Sequence, residues 1–307
     1  NSMAGNLIIP IFRLVRPKNI FIILATMLGV YYTLAFNNPI VHVSRFDFVL
    51  LLLSTSLIAG AGNMINDYFD VKADRVNKPH KLIISKHVKR RWAIILHWVF
   101  NFSALIISIY LSSKYSTFWY VFINLLAINT LWFYSVYFKK KIFLGNLIIA
   151  IMTGFIPLLA LSFFVLSKES GIFNQINGHW YENPEFHIIY LLSFFAMMQN
   201  LAREICKDIS DIPGDRKIYV KSIPMKYGLK TTKTIVALIL SIQILILNIV
   251  YPIYELKIGQ WTYYILLIAL SLNLLIMILM LKNDFFVKYS QSLLKLSMLI
   301  GLSALFV

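Results

Sequence analysis

Long apolar runs separated by short charged loops make up most of the chain. Each run is close to the length of about 20 residues that an α-helix needs to cross about 30 Å of hydrocarbon. We count nine such runs, and each predicts a transmembrane helix. They lie near residues 18–36, 46–65, 92–111, 117–138, 142–166, 186–203, 234–253, 261–281 and 286–306. The pattern therefore predicts an all-α polytopic membrane protein with nine transmembrane helices.

The composition supports this prediction. The 307 residues are 59% hydrophobic and only 14% charged, whereas soluble domains are about 45 to 50% apolar. We interpret residues 1–3 as the remnant of an appended tag, find no cleavable secretory leader, and expect a single domain over residues 4–307. The only cysteine, Cys206, excludes an intrachain disulfide and a zinc site built on cysteines.

The cations predict the orientation of the chain in the membrane. Of the 29 Lys and Arg residues, 24 lie in the N-terminal segment and in alternate loops, 4 lie in the intervening loops, and Lys295 lies inside the last run. Short loops rich in Lys and Arg stay cytoplasmic. We therefore expect the inner cell membrane as the location, with a cytoplasmic N-terminus. The net charge of +16 does not indicate nucleic-acid binding, because the cations are spread over short loops.

A first acidic segment follows the second predicted span. Asn66, Asp70 and Asp74 recur at intervals of four, so on a helix they share one face. Asp67 lies three residues before Asp70 and is expected to join the same group. The spacing thus predicts that three carboxylates and one amide oxygen converge there.

A second acidic segment follows the sixth predicted span. Asp208 and Asp211 lie on adjacent turns of a predicted helix. Pro213 and Gly214 are expected to break that helix. The break would let Asp215 fold back toward Asp211.

Oxygen ligands without histidine or thiol partners favour a hard cation such as Mg²⁺, which bridges carboxylates to phosphates. Two acidic segments predict two or more Mg²⁺ ions. The interleaved cations suit the remaining oxygens of a diphosphate; they are Lys72, Arg75, Lys78, Lys81, Lys207, Arg216 and Lys217. Each segment alone is also consistent with solvated ends of membrane spans, but two aspartate-rich segments on the same predicted side favour a polyphosphate site.

These residues resemble the UbiA-type intramembrane prenyltransferases. The run from Asn66 to Asp74 is similar to that family's N-D-x-x-D-x-x-x-D motif, and the run from Asp211 to Asp215 is similar to its D-x-x-x-D motif. The continuation after Asp74 resembles its D-R-x-N-K-P-x-R stretch, except that Lys81 replaces the usual arginine. Lys139 and Lys140 fall in a region similar to the one that joins the family's fourth and fifth spans.

The resemblance implies nine helices around a central cavity open to lipid, with both motifs at a cytoplasmic cap. It implies catalytic roles for Asp70, Asp74, Asp211 and Asp215, which together with Asn66, Asp67 and Asp208 would bind Mg²⁺ and an isoprenyl diphosphate. Loss of the diphosphate leaves an allylic cation, which an aromatic residue such as Tyr134 could shelter. Ordinary packing remains an alternative role for that tyrosine.

Within the family, the run from Arg203 to Lys217 is most similar to enzymes that transfer a geranylgeranyl group to geranylgeranylglycerol phosphate. A phosphorylated acceptor needs a second anion site, for which cytoplasmic cations are candidates: Arg13, Arg16, Lys139, Lys140 and Lys141. These cations are equally consistent with positive-inside anchors. An aromatic quinone precursor is the alternative acceptor.

Three other classes fit the chain less well. A transporter or channel would place its acidic residues near the membrane midplane rather than at span ends. A CDP-alcohol phosphotransferase would carry a D-G-x-x-A-R continuation, which this sequence lacks. A soluble isoprenyl synthase is excluded by the predicted spans and by the missing D-D-x-x-D motif.

Overall fold

The structure, a computed structural model, describes residues 2–36, 43–80, 82–167, 184–253 and 259–307. Within these ranges the chain forms ten α-helices and no β-strand. The helices are α1 (Ser2–Leu14), α2 (Pro17–Tyr31), α3 (Arg45–Asn77), α4 (Arg90–Lys114), α5 (Trp119–Val136), α6 (Leu144–Leu166), α7 (Pro184–Asp215), α8 (Ile223–Ile253), α9 (Gln260–Lys282) and α10 (Val287–Ser303). The prediction of an all-α membrane protein is confirmed.

Seven of the described helical segments are long and apolar enough to cross a membrane. They are Pro17–Ala35, Arg45–Asn77, Arg90–Lys114, Trp119–Val136, Leu144–Leu166, Ile223–Ile249 and Gln260–Lys282. The other two predicted spans, residues 186–203 and 286–306, fall in α7 and α10. The count of nine transmembrane helices stays a prediction.

Packing divides the chain into two compact units that interleave in sequence. The first unit comprises the described residues up to Leu24 together with Ser44–Gly145 and Pro213–Lys221. The second unit comprises the described residues of Ala25–Val43, Asn146–Ile212 and Ser222–Val307. The single domain expected over residues 4–307 stays a prediction.

A buried cluster of hydrogen-bonded polar side chains joins three helices of the first unit. Asn124 on α5 donates to Ser54 Oγ on α3 at 2.6 Å and also to Ser108 Oγ on α4. Both serines in turn donate to Ala104 O on α4. Small residues and interhelical hydrogen bonds let helices approach closely where water is excluded. This polar cluster therefore holds α3, α4 and α5 together.

The segment after α3 folds into a compact cap on the first unit. Ser85 N–H donates to Val88 O at 2.8 Å, which closes a tight turn. Ile84 and Val88 are each only 1% exposed. They pack in one apolar cluster with Leu14 of α1 and Met64 of α3. The cap therefore holds the C-terminal half of α3 in place beside α1.

The opposite end of α3 is tied by a buried carboxylate. Asp47 is fully buried, and its Oδ2 lies 2.6 Å from Lys114 Nζ at the end of α4. Tyr115 OH donates to the same oxygen at 2.6 Å, and Tyr110 OH donates to Oδ1 at 3.3 Å. A buried charge is tolerated when it is paired and hydrogen-bonded in this way.

In the second unit, an amide pair joins α7 to α9. Gln199 Nε2 donates to Asn273 Oδ1 at 2.9 Å, and Asn273 Nδ2 donates back to Gln199 Oε1 at 2.8 Å. Gln199 also donates to Leu294 O on α10 at 3.1 Å. Both side chains are buried, so neither amide can bond to water. Each amide therefore needs the hydrogen bonds that the other provides.

Replacing Asn273 with leucine should lower the free energy of unfolding by about 1 to 2 kcal/mol, because the buried Gln199 amide loses its partner. Thermal unfolding of the purified protein in detergent measures this loss. Asn248→Leu is the matched control, because the exposed Asn248 side chain donates to Ile244 O of its own helix. The double variant Gln199→Leu/Asn273→Leu should recover part of the loss, and strictly additive losses would contradict the pairing.

Candidate functional site

The acidic face of α3 forms the centre of the candidate site. Helix α3 continues for three turns beyond the predicted end of its apolar run at residue 65. Asn66, Asp70 and Asp74 therefore lie on one face of a continuous helix. Asp70 is 6% exposed, and its Oδ2 accepts a hydrogen bond from Asn66 Nδ2 at 2.9 Å.

Cations of the chain itself neutralise two carboxylates of this segment. Lys139 forms an ion pair with Asp70, and Arg16 forms one with Asp67. The described residues contain no group of three or more His, Cys, Asp or Glu that could hold a metal ion. Asp67 is paired with Arg16 of the α1–α2 turn, and the expected convergence of three carboxylates stays a prediction. A role for Asp67 as a metal ligand stays a prediction.

A cleft of about 340 Å³ opens beside Asp70 within the first unit. Its wall includes Phe69 and Asp70 of α3, Ser135 and Val136 of α5, and the segment Ile218–Val220. Four lysines also line it, namely Lys72, Lys139, Lys140 and Lys217. The cleft thus combines one carboxylate with an excess of flexible cations, which suits a multiply charged anion.

The end of α7 differs from the prediction. The helix does not break at Pro213 but continues to Asp215, because a tertiary hydrogen bond to α3 holds the residue that follows the proline. Gly214 N–H donates to Asn77 Oδ1 of α3 at 2.7 Å. Asp215 is therefore a helical residue, 6% exposed, and does not fold back from a loop.

A short turn after Asp215 returns the chain to the cleft. Residues Arg216–Ile218 form a 3₁₀ turn, and Tyr219 has a left-handed backbone with φ of 58°. Val220 N–H then donates to Asp215 O at 3.0 Å, and Lys221 N–H donates to Lys140 O at 3.3 Å. This turn brings Lys217 to the wall of the cleft.

A polar network runs along α7 in the second unit. Glu204 is 7% exposed, with Arg203 Nη2 at 2.7 Å and Lys207 Nζ at 3.2 Å from its carboxylate oxygens. Asp208 accepts a hydrogen bond from Asn146 Nδ2 of α6 at 2.7 Å. The sequence predicts that Lys207 binds a phosphate, whereas in the structure it pairs with Glu204. The separation of three residues between the two on a helix is the signal that indicates this pairing.

The remaining predicted residues are distributed as follows. Tyr134 is buried in α5 next to Ser135, and Asp211 is half-buried in α7. Lys78 N–H donates to Asp74 O at 2.9 Å and so caps the end of α3. Exposed side chains include Arg13, Arg75 and Arg216, and Lys81 lies outside the described residues. Lys141 stacks over the Tyr137 ring at 4.8 Å.

The residues beside Asp70 fit a magnesium ion. Asn66 Oδ1 is buried and accepts no hydrogen bond from the described residues, so it offers an oxygen ligand next to a carboxylate. Asp74 lies one turn further along the same face. An oxygen-only set of this kind is what Mg²⁺ prefers, with water and substrate phosphate completing the coordination.

Comparison with known proteins gives a consistent assignment. Residues 20–299 match the model of the UbiA prenyltransferase family. The digeranylgeranylglyceryl phosphate synthase of Methanococcus vannielii is 30% identical over 264 residues, which cover 86% of this chain and 83% of that protein.

Two solved structures share the fold. One, described as digeranylgeranylglyceryl phosphate synthase in membranes, superposes with a TM-score of 0.66 at 24% identity and covers 97% of this chain and 96% of the other. A UbiA homologue from Archaeoglobus fulgidus bound to DMAPP and Mg²⁺ gives a TM-score of 0.60 at 16% identity and covers 97% and 99% of the two chains.

Replacing Lys139 with methionine should lower the free energy of unfolding by about 2 kcal/mol or more, because it leaves the buried Asp70 carboxylate without its counterion. Thermal unfolding in EDTA measures the loss. Millimolar Mg²⁺ should raise the unfolding temperature of this variant more than that of the wild type. Lys140→Met is the matched control, since Lys140 is exposed in the same cleft. Equal stability of the two variants would contradict the role of Lys139.

Proposed function

Because the chain belongs to the UbiA prenyltransferase family, we propose that it transfers a geranylgeranyl group from its diphosphate to geranylgeranylglycerol phosphate. The chain is a prenyltransferase and an integral membrane protein. The observation that carries the proposal is the cleft in which Asp70 and four lysines meet. Both the donor and the proposed acceptor present phosphate groups, and this cleft has the charge to bind them.

The comparisons support the substrates and the cofactor. The relative from Methanococcus vannielii is named digeranylgeranylglyceryl phosphate synthase, and the homologue from Archaeoglobus fulgidus is bound to DMAPP and Mg²⁺. The proposed reaction therefore depends on Mg²⁺, with two or more ions. Asn66, Asp70 and Asp74 would hold an ion on α3, and Asp208, Asp211 and Asp215 are the proposed ligands from α7.

In the proposed mechanism the allylic carbon–oxygen bond of the donor breaks and leaves diphosphate. Bound Mg²⁺ supplies neutralising positive charge for that leaving group. Lys139, which pairs with Asp70 in the described structure, would turn to a phosphate oxygen as the leaving group gains charge. The ring of Tyr134 would stabilise the allylic cation until the acceptor hydroxyl attacks. The hydroxyl oxygen would form the new ether bond to the allylic carbon, and its proton would pass to the released diphosphate or to water.

The acceptor phosphate requires cations beyond those that serve the donor. Arg16 is a poor candidate because it is paired with Asp67. Lys140 and Lys217 are better candidates, because both are exposed and line the cleft. We therefore assign the acceptor phosphate to these two lysines.

Purified protein supplied with geranylgeranyl diphosphate, geranylgeranylglycerol phosphate and Mg²⁺ should form digeranylgeranylglyceryl phosphate, and EDTA should abolish the product. Mass spectrometry of the extracted lipid measures the reaction. Asp70→Asn and Asp211→Asn should each lower the rate by at least about 100-fold, since neither amide can neutralise the metal. Asn248→Ala is the control that should keep full activity.

Product formed only with an aromatic acceptor would instead assign the chain to prenylation of a quinone precursor. Full activity in both aspartate variants would contradict the metal-dependent mechanism. An equal loss of activity on both kinds of acceptor in Lys140→Ala would contradict the acceptor-phosphate assignment.

We also propose that the acidic end of α3 lies on the cytoplasmic side, from the distribution of Lys and Arg. Single cysteines test this, because the native Cys206 is fully buried. A membrane-impermeant maleimide applied to intact cells should label Ser113→Cys, at the end of α4, and should label Lys86→Cys only after the cells are opened. Both positions are exposed, and the reverse labelling pattern would contradict the orientation.

A further inference from the structure

Asn77 joins the last turn of α3 to the end of α7. Its Oδ1 accepts the hydrogen bond from Gly214 N–H at 2.7 Å. Residue 214 has no room for a side chain, because a Cβ there would lie 2.6 Å from Ala73 O and would also strike the Asn77 side chain. The backbone at Gly214 therefore rests directly on the last turn of α3.

This contact lies next to the acidic residues of the first unit. Ala73 and Asn77 follow Asp70 by three and seven residues, so they continue the same face of α3. Asp215 is bonded to Gly214 in the chain and is 6% exposed. The position of Gly214 along α3 therefore decides where the Asp215 carboxylate lies relative to Asp70.

The segment that follows Gly214 is held at its other end as well. Lys221 N–H donates to Lys140 O at 3.3 Å. Between these two attachments, Lys217 lines the same cleft as Asp70. A shift of Gly214 along α3 would therefore displace both the Asp215 carboxylate and Lys217, which lines the cleft.

We propose that Asn77 is a positioning residue that sets the register of Asp215 against the acidic face of α3. In this role it raises the affinity of the chain for a divalent metal with a diphosphate, and its amide contacts neither ligand. The inference rests on the proposed function, since it takes Mg²⁺ and a diphosphate as the ligands.

The chemistry of the hydrogen bond explains why residue 77 needs a side-chain oxygen. A buried backbone N–H requires an acceptor. Pro213 has no N–H to donate. The Gly214 N–H is therefore the donor that attaches this turn to Asn77 of α3. Asparagine and aspartate both offer an oxygen at the required distance from the helix, whereas glutamine places it one methylene further out.

The test compares Asn77→Ala, Asn77→Gln and Asn77→Asp with the wild type. Mn²⁺ binding is measured by electron paramagnetic resonance with inorganic diphosphate as the second ligand, and the Mg²⁺ dependence of transfer is measured in parallel. Asn77→Ala and Asn77→Gln should weaken Mn²⁺ binding about tenfold, as expected for one lost buried hydrogen bond. Asn77→Asp should stay within about twofold of the wild type, since it keeps the acceptor.

Asn124→Ala is the matched control, because Asn124 joins three helices of the same unit away from the cleft. It should lower the unfolding temperature and leave Mn²⁺ binding unchanged, which separates positioning from general stability. Asn77→Gln keeps the amide and the polarity of the site, so it provides the measurement if the alanine variant does not fold.

Wild-type Mn²⁺ affinity in Asn77→Gln or Asn77→Ala would overturn the inference while leaving the proposed function intact. A loss in Asn77→Asp as large as that in Asn77→Ala would also overturn it, because the acceptor oxygen would then not be the relevant group. Absence of diphosphate-dependent Mn²⁺ binding in the wild type would overturn the proposed function and this inference together.

Discussion

Pairing of buried and half-buried carboxylates with cations that lie far away in the sequence is the interaction on which the rest of the structure depends. Water is scarce inside a helical membrane bundle, and an unpaired charge there is strongly destabilising. Asp70 is paired with Lys139, Asp67 with Arg16, and Asp47 with Lys114. Each pair joins elements that are distant in sequence, so charge neutralisation also determines which helix ends meet.

Neutral polar groups follow the same rule. The polar cluster around Asn124 and the two hydrogen bonds between Gln199 and Asn273 provide acceptors for buried donors. These contacts stabilise the interior of each unit. The cleft beside Asp70 differs in that its lysines exceed its carboxylates. That excess supports the proposed anion-binding role, because a purely structural pair needs only one cation for each anion.

The sequence predicted the helical class and the shared face of Asn66 and Asp70 because both follow from periodicity, which is local. It placed Pro213 at a helix break because proline usually disfavours a helix interior. The hydrogen bond from Gly214 to Asn77, between residues 137 positions apart, could not be read from local turn preferences. The pairing of Asp67 with Arg16, 51 residues away, could not be predicted for the same reason. Pairings of this kind depend on tertiary packing, which spacing along one helix does not encode.

The pair between Lys139 and Asp70 has a consequence for how the protein is made. A carboxylate that already has a tethered ammonium partner can enter the membrane and fold without waiting for a metal. Under the proposed function, a divalent ion reaching Asp70 would have to exchange with that ammonium group, so its occupancy would depend on whether another anion is present to receive the lysine. A diphosphate is such an anion. Metal loading and substrate loading would therefore occur as one coupled event, and the substrate-free chain would hold little metal even where the ion is abundant.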